Sequence, residues 1–251
     1  MAADMLFNYI EKRQGERPWG RVLDAGTGDH SLRWIRKLPT TGWTAVTVDP
    51  IRIKNMLPKL SPTMRDTDQL LLGDWQDEQL LEGEQFDVVL VDYLIGAIDA
   101  FTPFYQTSIL ERLRPHVRGQ LYLIGWEPFD ESATHPAHKL IVELAKTKDA
   151  CRLLANKRPY REYPASWVKR EFERSGYVVN STEHFTNIFH ARYVESQTQA
   201  CHRALEKVEN DAVSDALSAH VEQLKTALMP YAKSSKGIRF GADYIICASP
   251  K

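Results

Sequence analysis

Four short segments place acids and glycines where an extended run gives way to a turn. In Val22-Leu23-Asp24-Ala25-Gly26-Thr27-Gly28 an apolar strand runs into two glycines separated by one residue. Glycines there permit a tight turn and close approach of the backbone to a ligand, and the helix that follows presents free amides. The third glycine of the dinucleotide fingerprint is missing: His30 and Ser31 follow instead, which weakens a pyrophosphate site. Asp49-Pro50 closes a second apolar run, where a carboxylate can accept from both hydroxyls of a ribose. Gly73-Asp74-Trp75 follows a third; its acid can accept from an adenine amino group and its indole can stack on the ring. Asp92-Tyr93 closes a fourth. Any one of these acids alone could be a helix cap or loop carboxylate. The ordered set is what one nucleotide-like ligand across neighbouring strand ends would require.

Further along, three clusters could serve a second substrate. Gly125-Trp126-Glu127-Pro128 ends a fifth apolar run; Glu127 could bind a cation or act as a base, or be a surface carboxylate beside a rigid turn. Arg158-Pro159-Tyr160-Arg161-Glu162-Tyr163-Pro164, with Trp167, sets two tyrosines, two arginines and an acid between prolines. Tyr160 and Tyr163 could hydrogen-bond an acceptor and Arg161 could pair with its carboxylate, or the group could be an ion-pair network. His184, Asn187 and His190 follow the next strand, and an imidazole near neutrality could be a base, although a surface histidine is the commoner outcome. His30 is equally a ligand contact or a helix cap. Phe101, Phe104 and Tyr105 read as core packing before they read as a lid.

These residues need elements to hold them. β-branched apolar runs alternate with helical stretches, which predicts a parallel α/β sheet. Strands are expected at 21–24, 44–48, 69–72, 86–91, 120–125, 178–180 and 242–248. Helices are expected at about 1–14, 31–38, 107–113, 133–154 and 167–175, and the segment through Asp66 is read as broken by Pro58 and Pro62. Neither Gly nor Pro occurs between Asn187 and Met229, so one or two long helices are expected over about 187–231, serving as a packed outer helix, a lid or a dimer face. One domain over 1–251 is expected: an N-terminal helix to residue 20, a ligand-binding half over 21–130, and an acceptor-side half over 131–251.

Composition bounds the rest. The 251 residues are 43% hydrophobic and 26% charged, an ordinary globular balance. A formal net charge of −1 gives no overall case for nucleic acid or acidic membranes, though composition hides local clustering. No apolar run reaches membrane-span length, and residues 1–10 lack a signal-peptide layout. Three scattered cysteines, with no CxxC or Cys/His metal spacing, point to a reducing cytoplasm and no structural metal.

The series VLDAGTG, VTVDP, LLGDW and FDVVLVDY resembles the motifs of class I S-adenosylmethionine-dependent methyltransferases over roughly Arg21–Glu127. The C-terminal strand, long helical insert and Gly241–Cys247 resemble that fold's completion. The resemblance implies a Rossmann-like, seven-stranded, mostly parallel sheet with helices on both faces and a helical insertion before the last strand. It implies S-adenosylmethionine as cofactor and S-adenosylhomocysteine as product. Asp24, Gly26 and Gly28 would surround the methionine part, Asp49 the ribose, and Asp74 and Trp75 the adenine. Asp92 and Tyr93 would face the sulfonium and the acceptor, with Thr27, His30 and Pro50 as neighbours. Motifs of adenine-, cytosine- and catechol-directed members are absent, which leaves a metal-independent enzyme for a small N, O or S acceptor. Competing readings are a protein or nucleic-acid methyltransferase, a silent cofactor-binding regulator, and a Rossmann oxidoreductase. Asp49→Ala is expected to weaken cofactor binding far more than Glu127→Ala in calorimetry; equal losses would refute the ribose assignment.

Overall fold

A computed structural model describes residues 2–251, so Met1 of the first expected helix lies outside the described residues. The chain forms two compact units, one of residues 1–126, 162–185 and 244–251, the other of 127–161 and 186–243.

The first unit is built on β1 (Arg21–Asp24), β2 (Gly42–Thr47), β3 (Gln69–Leu72), β4 (Phe86–Asp92) and β5 (Val117–Trp126). Together with β6 (Tyr177–Phe189) and β7 (Ile238–Pro250) these give a seven-stranded sheet in the order β3-β2-β1-β4-β5-β7-β6. The pairs β1–β2, β1–β4, β2–β3 and β4–β5 are parallel. Parallel strands need crossovers, and here these are helices: α1 (Ala2–Gln14) precedes the sheet, then α2 (Asp29–Ile35), α3 (Pro50–Leu60), α4 (Leu94–Ile98) and α5 (Ile109–Leu113) connect strands.

Side-chain alternation divides the core between the two faces of this sheet. Leu23, Val89, Val91, Leu121, Leu123 and Ile246 join a cluster with α4, α5 and α7 (Ala165–Arg174). Val22, Val88, Leu90, Tyr122, Ile124 and Ile245 join another with α1, α2 and α3. Strands buried on both faces read as continuous apolar runs, which is why β1 and β4 are so plain in the sequence. Tyr244, 1% exposed, lies across Gly125, where a Cβ would collide with its ring, and its hydroxyl donates to the Tyr163 carbonyl at 2.8 Å.

The second unit holds α6 (Pro136–Leu154), α8 (Ala191–Leu205) and α9 (Asp211–Ala232), which pack on one another. The break between α8 and α9 has neither Gly nor Pro; Asn210 makes it, its side chain accepting from the Val213 amide at 3.1 Å as an N-cap. Cys151 and Cys201 are buried free thiols in this unit, and Cys247 is one in the first.

Two expectations need correction. The segment after Asp49 is a helix, because Asp49 caps it, Pro50 occupies its first turn and Pro58 falls so near its end that few later bonds are lost. β6 runs thirteen residues rather than three, through the polar Asn180-Ser181-Thr182-Glu183-His184, so the helical segment starts at Ala191 and not at Asn187. Gly125→Ala is expected to cost about 1–3 kcal/mol through the forced shift of Tyr244, read as a fall in Tm of several degrees by calorimetry.

Candidate functional site

The strand order reverses at β1, whose neighbours β2 and β4 lead away in opposite directions. Ligands of open α/β sheets sit outside the carboxyl ends at such a switch point. Asp24 closes β1, Asp49 follows β2, Asp74 follows β3 and Asp92 closes β4, so the four acids fall along one edge of the first unit.

At its centre the turn Ala25–Gly28 is tied down from several sides. The Trp75 indole N–H donates to the Ala25 carbonyl at 2.6 Å, the Ala25 amide to the Leu90 carbonyl at 2.9 Å, and the Thr27 amide to the Val46 carbonyl at 2.8 Å. The Arg52 guanidinium donates to the Thr27 carbonyl at 3.2 Å. Gly26 lies against Leu94 of α4, whose Cδ1 would stand 2.8 Å from a Cβ, so any side chain there would push the leucine aside. At the mouth of α2 the Ser31 hydroxyl donates to Asp24 Oδ2 at 2.7 Å and accepts from the Gly28 amide at 3.1 Å. Asp24 is therefore linked to the turn through Ser31.

Asp24 is 0% exposed. Burial pushes its carboxyl up to about 6, against the opposing pull of Thr27, Ser31, the Gly26 amide and Arg52. Its Oδ1 and the Thr27 Oγ1 are both buried without a hydrogen-bond partner, so the attraction between them falls short of hydrogen-bond geometry. Each such atom costs about 1–3 kcal/mol, and a pair of them beside a glycine turn is what a site completed by a ligand would show.

The remaining predicted residues fall as follows. Asp49 is half-buried; its Oδ1 accepts from the Ile51 amide at 2.9 Å as the cap of α3, with Pro50 in the first turn. Asp74 Oδ1 accepts from the Gln76 amide at 3.0 Å, and the Thr102 hydroxyl lies 3.4 Å from both its oxygens. Trp75 is 4% exposed and packs in the core beside His116 and Arg112. His30 is exposed and its ring lies 6.3 Å from that of Phe7 in α1. Tyr93 adopts a left-handed conformation, φ 49°, with its amide donating to the Ile124 carbonyl at 3.0 Å. A non-glycine residue held there stores strain of about 1–3 kcal/mol, a feature that clusters at functional sites. Asp92 and Trp126 are half-buried at their strand ends.

Among the residues considered for an acceptor, the Tyr163 ring lies 4.2 Å from that of Trp167 and is tilted 30° to it, and His184 is exposed with its ring 6.1 Å from that of Tyr244, all within the first unit. Glu127, Tyr160 and Arg161 belong to the second. There the Glu127 amide donates to the Ala242 carbonyl at 2.9 Å, Tyr160 lies under the Arg152 guanidinium at 5.0 Å, and Arg161 is exposed. Phe101 and Phe104 are exposed, while the Tyr105 hydroxyl donates to the Trp75 carbonyl at 3.0 Å. The sequence reading missed Ser31, Arg52 and Leu94. Only Ser31 carried a signal, as a hydroxyl three residues past the helix cap. Among the described residues no group of three or more His, Cys, Asp or Glu is placed to hold a metal.

This architecture matches a Rossmann-like methyltransferase fold. Neither a family model nor a curated protein sequence matches the chain. Solved structures do. A putative methyltransferase from Bacillus halodurans superposes with a TM-score of 0.62 at 14% identity, covering 99% of this chain and 100% of that one. A putative sarcosine dimethylglycine methyltransferase from Galdieria sulphuraria gives 0.58 at 11% identity, covering 99% and 85%. The mycolic acid cyclopropane synthase CmaA1, crystallised with SAH, gives 0.56 at 12% identity, covering 97% and 84%.

Asp24→Asn removes a carboxyl that is costly to ionise. The wild-type group is neutral in both states below pH about 4, and its penalty grows until the folded carboxyl ionises near 6. The variant is expected to gain stability relative to wild type as pH rises from 4 to above 6, by up to about 3 kcal/mol, in denaturant titrations. A constant difference across that range would refute the assignment.

Proposed function

We propose that the chain is an S-adenosylmethionine-dependent methyltransferase acting on a small-molecule N, O or S acceptor without a metal. The observation that carries the reading is the alignment of Asp24, Asp49, Asp74 and Asp92 along the carboxyl edge of the sheet, around a glycine turn with two unsatisfied buried polar atoms. CmaA1, which shares the fold, was crystallised with the product form of this cofactor. That one neighbour is called a sarcosine dimethylglycine methyltransferase supports a small acceptor.

In this reading Gly26 and Gly28 admit the cofactor's methionine part, Asp49 accepts from the ribose, and Asp74 accepts from the adenine amino group. Asp24, wholly buried, acts through Ser31 on the Gly28 amide and so positions the turn. Trp75 holds the turn at Ala25 rather than covering the adenine, since its ring is committed to the core. The bound cofactor supplies an activated methyl group, so the protein's task is chiefly alignment. Asp92 and Tyr93 sit at the switch point to orient the acceptor, and Tyr93's strained backbone fixes that orientation. Trp126, Tyr163 and His184 are the acceptor-side candidates of the first unit, and Glu127, Tyr160 and Arg161 those of the second.

Calorimetry with S-adenosylhomocysteine and with NAD tests this directly. Binding of S-adenosylhomocysteine is expected, with a loss of at least about tenfold, or 1.4 kcal/mol, in Asp49→Ala. Binding of NAD alone would overturn the proposal. Transfer of a labelled methyl group into a fraction of small metabolites, and none into protein or nucleic acid, is the outcome expected for the acceptor class.

A further inference from the structure

Arg52 reaches the glycine turn from the neighbouring helix. It lies in the first turn of α3, just past Asp49, and β2, which leads into α3, pairs with β1. From there its guanidinium crosses to the turn between β1 and α2, where Nη1 donates to the Thr27 carbonyl at 3.2 Å. It also covers Gly28, since a Cβ on that residue would stand 3.1 Å from the same nitrogen. Arg52 is half-buried in this position.

One hydrogen bond uses a small part of this group. A guanidinium has five N–H donors in a fixed plane and keeps its charge at any ordinary pH. Among the described residues the Thr27 carbonyl is the acceptor it meets, and no carboxylate pairs with it. Asp49, the acid nearest in the chain, turns its Oδ1 to the Ile51 amide, and Asp24 gives its Oδ2 to Ser31. Fastening α3 to the turn would need only a neutral amide donor, such as that of glutamine. A permanent charge, partly out of water and without a counter-ion, is not accounted for that way. Arg33 and Arg36 of the α2 segment differ in being exposed, so water serves them.

The place of Arg52 identifies the counter-ion. A cofactor whose ribose is held by Asp49 and whose methionine part lies at Gly26 and Gly28 must pass between α3 and the turn, which is the gap this side chain bridges. The one anionic group of that ligand is the α-carboxylate of its methionine part. Planar guanidinium and carboxylate match in shape as well as charge. Resting on the proposed cofactor site, we infer that Arg52 binds the α-carboxylate of S-adenosylmethionine through the donors that Thr27 leaves over. One side chain then holds both the turn and the tail of the ligand, and it discriminates against nucleosides that lack the carboxylate.

The test is calorimetry on the full-length chain with S-adenosylhomocysteine and with its decarboxylated analogue, which keeps the adenosine, the thioether and the ammonium. The wild-type chain is expected to bind S-adenosylhomocysteine at least about tenfold more tightly than the analogue. Arg52→Gln, which keeps a donor for Thr27, is expected to remove at least about tenfold of the S-adenosylhomocysteine affinity and to leave that of the analogue within about twofold. Arg52→Lys should recover part of the loss, and Arg33→Gln should change neither affinity. Three results would overturn the inference alone: equal wild-type affinity for the two ligands, equal losses for both in Arg52→Gln, as a merely structural arginine would give, or the same selective loss in Arg33→Gln. No binding of S-adenosylhomocysteine to the wild-type chain would overturn the cofactor reading, and the inference with it.

Discussion

The chain turns on a buried carboxylate that is only half satisfied. Asp24 stands at the end of the strand where the sheet order reverses, fully out of water, with one oxygen bonded to Ser31 and the other bonded to nothing. An uncompensated carboxylate is costly enough to hold a proton well above the usual range. The surroundings over-determine its position: Trp75 grips Ala25, Arg52 grips Thr27, Val46 takes the Thr27 amide and Leu94 closes on Gly26. β2, β4, α3 and α4 all meet at this one turn. A destabilised centre with a rigid surround is the pattern expected where binding, not folding, completes the interactions.

How much of this was legible follows from what each residue faces. β1 and β4 were plain because both faces are buried along their apolar stretches, Val22-Leu23 and Val88-Val89-Leu90-Val91, each closed by an acid. β6 was invisible beyond its first residues because it carries Asn, Ser, Thr, Glu and His, which read as loop. α3 was hidden by Pro58, a residue whose cost depends on how many turns remain after it. Strand-end acids were legible because turn and strand endings leave local signatures. The role of Trp75 was not: a tryptophan after a strand fits stacking on a ligand or gripping a carbonyl, and only the fold decides. Ser31 and Arg52 act through partners seven and twenty-five residues away, a distance at which spacing carries no message.

The two sides of the proposed methyl-transfer site therefore stand on different footing. The edge assigned to the cofactor is assembled within one compact unit from strand ends whose positions the sheet imposes. The residues considered for the acceptor are drawn from both units and from loops. Loops on a rigid scaffold vary freely, which is how one fold comes to serve many acceptors.

The three thiols give the molecule an internal clock. Cys247 lies in β7 beneath the sheet's apolar face, and Cys151 and Cys201 lie between helices of the second unit; all three are 2% exposed or less. Thiols so enclosed meet a soluble alkylating reagent only when the structure around them opens. The rate at which each is modified thus times the opening of its own unit, and no label need be introduced. Whether the two units breathe together or apart becomes a matter of comparing two rates in one tube.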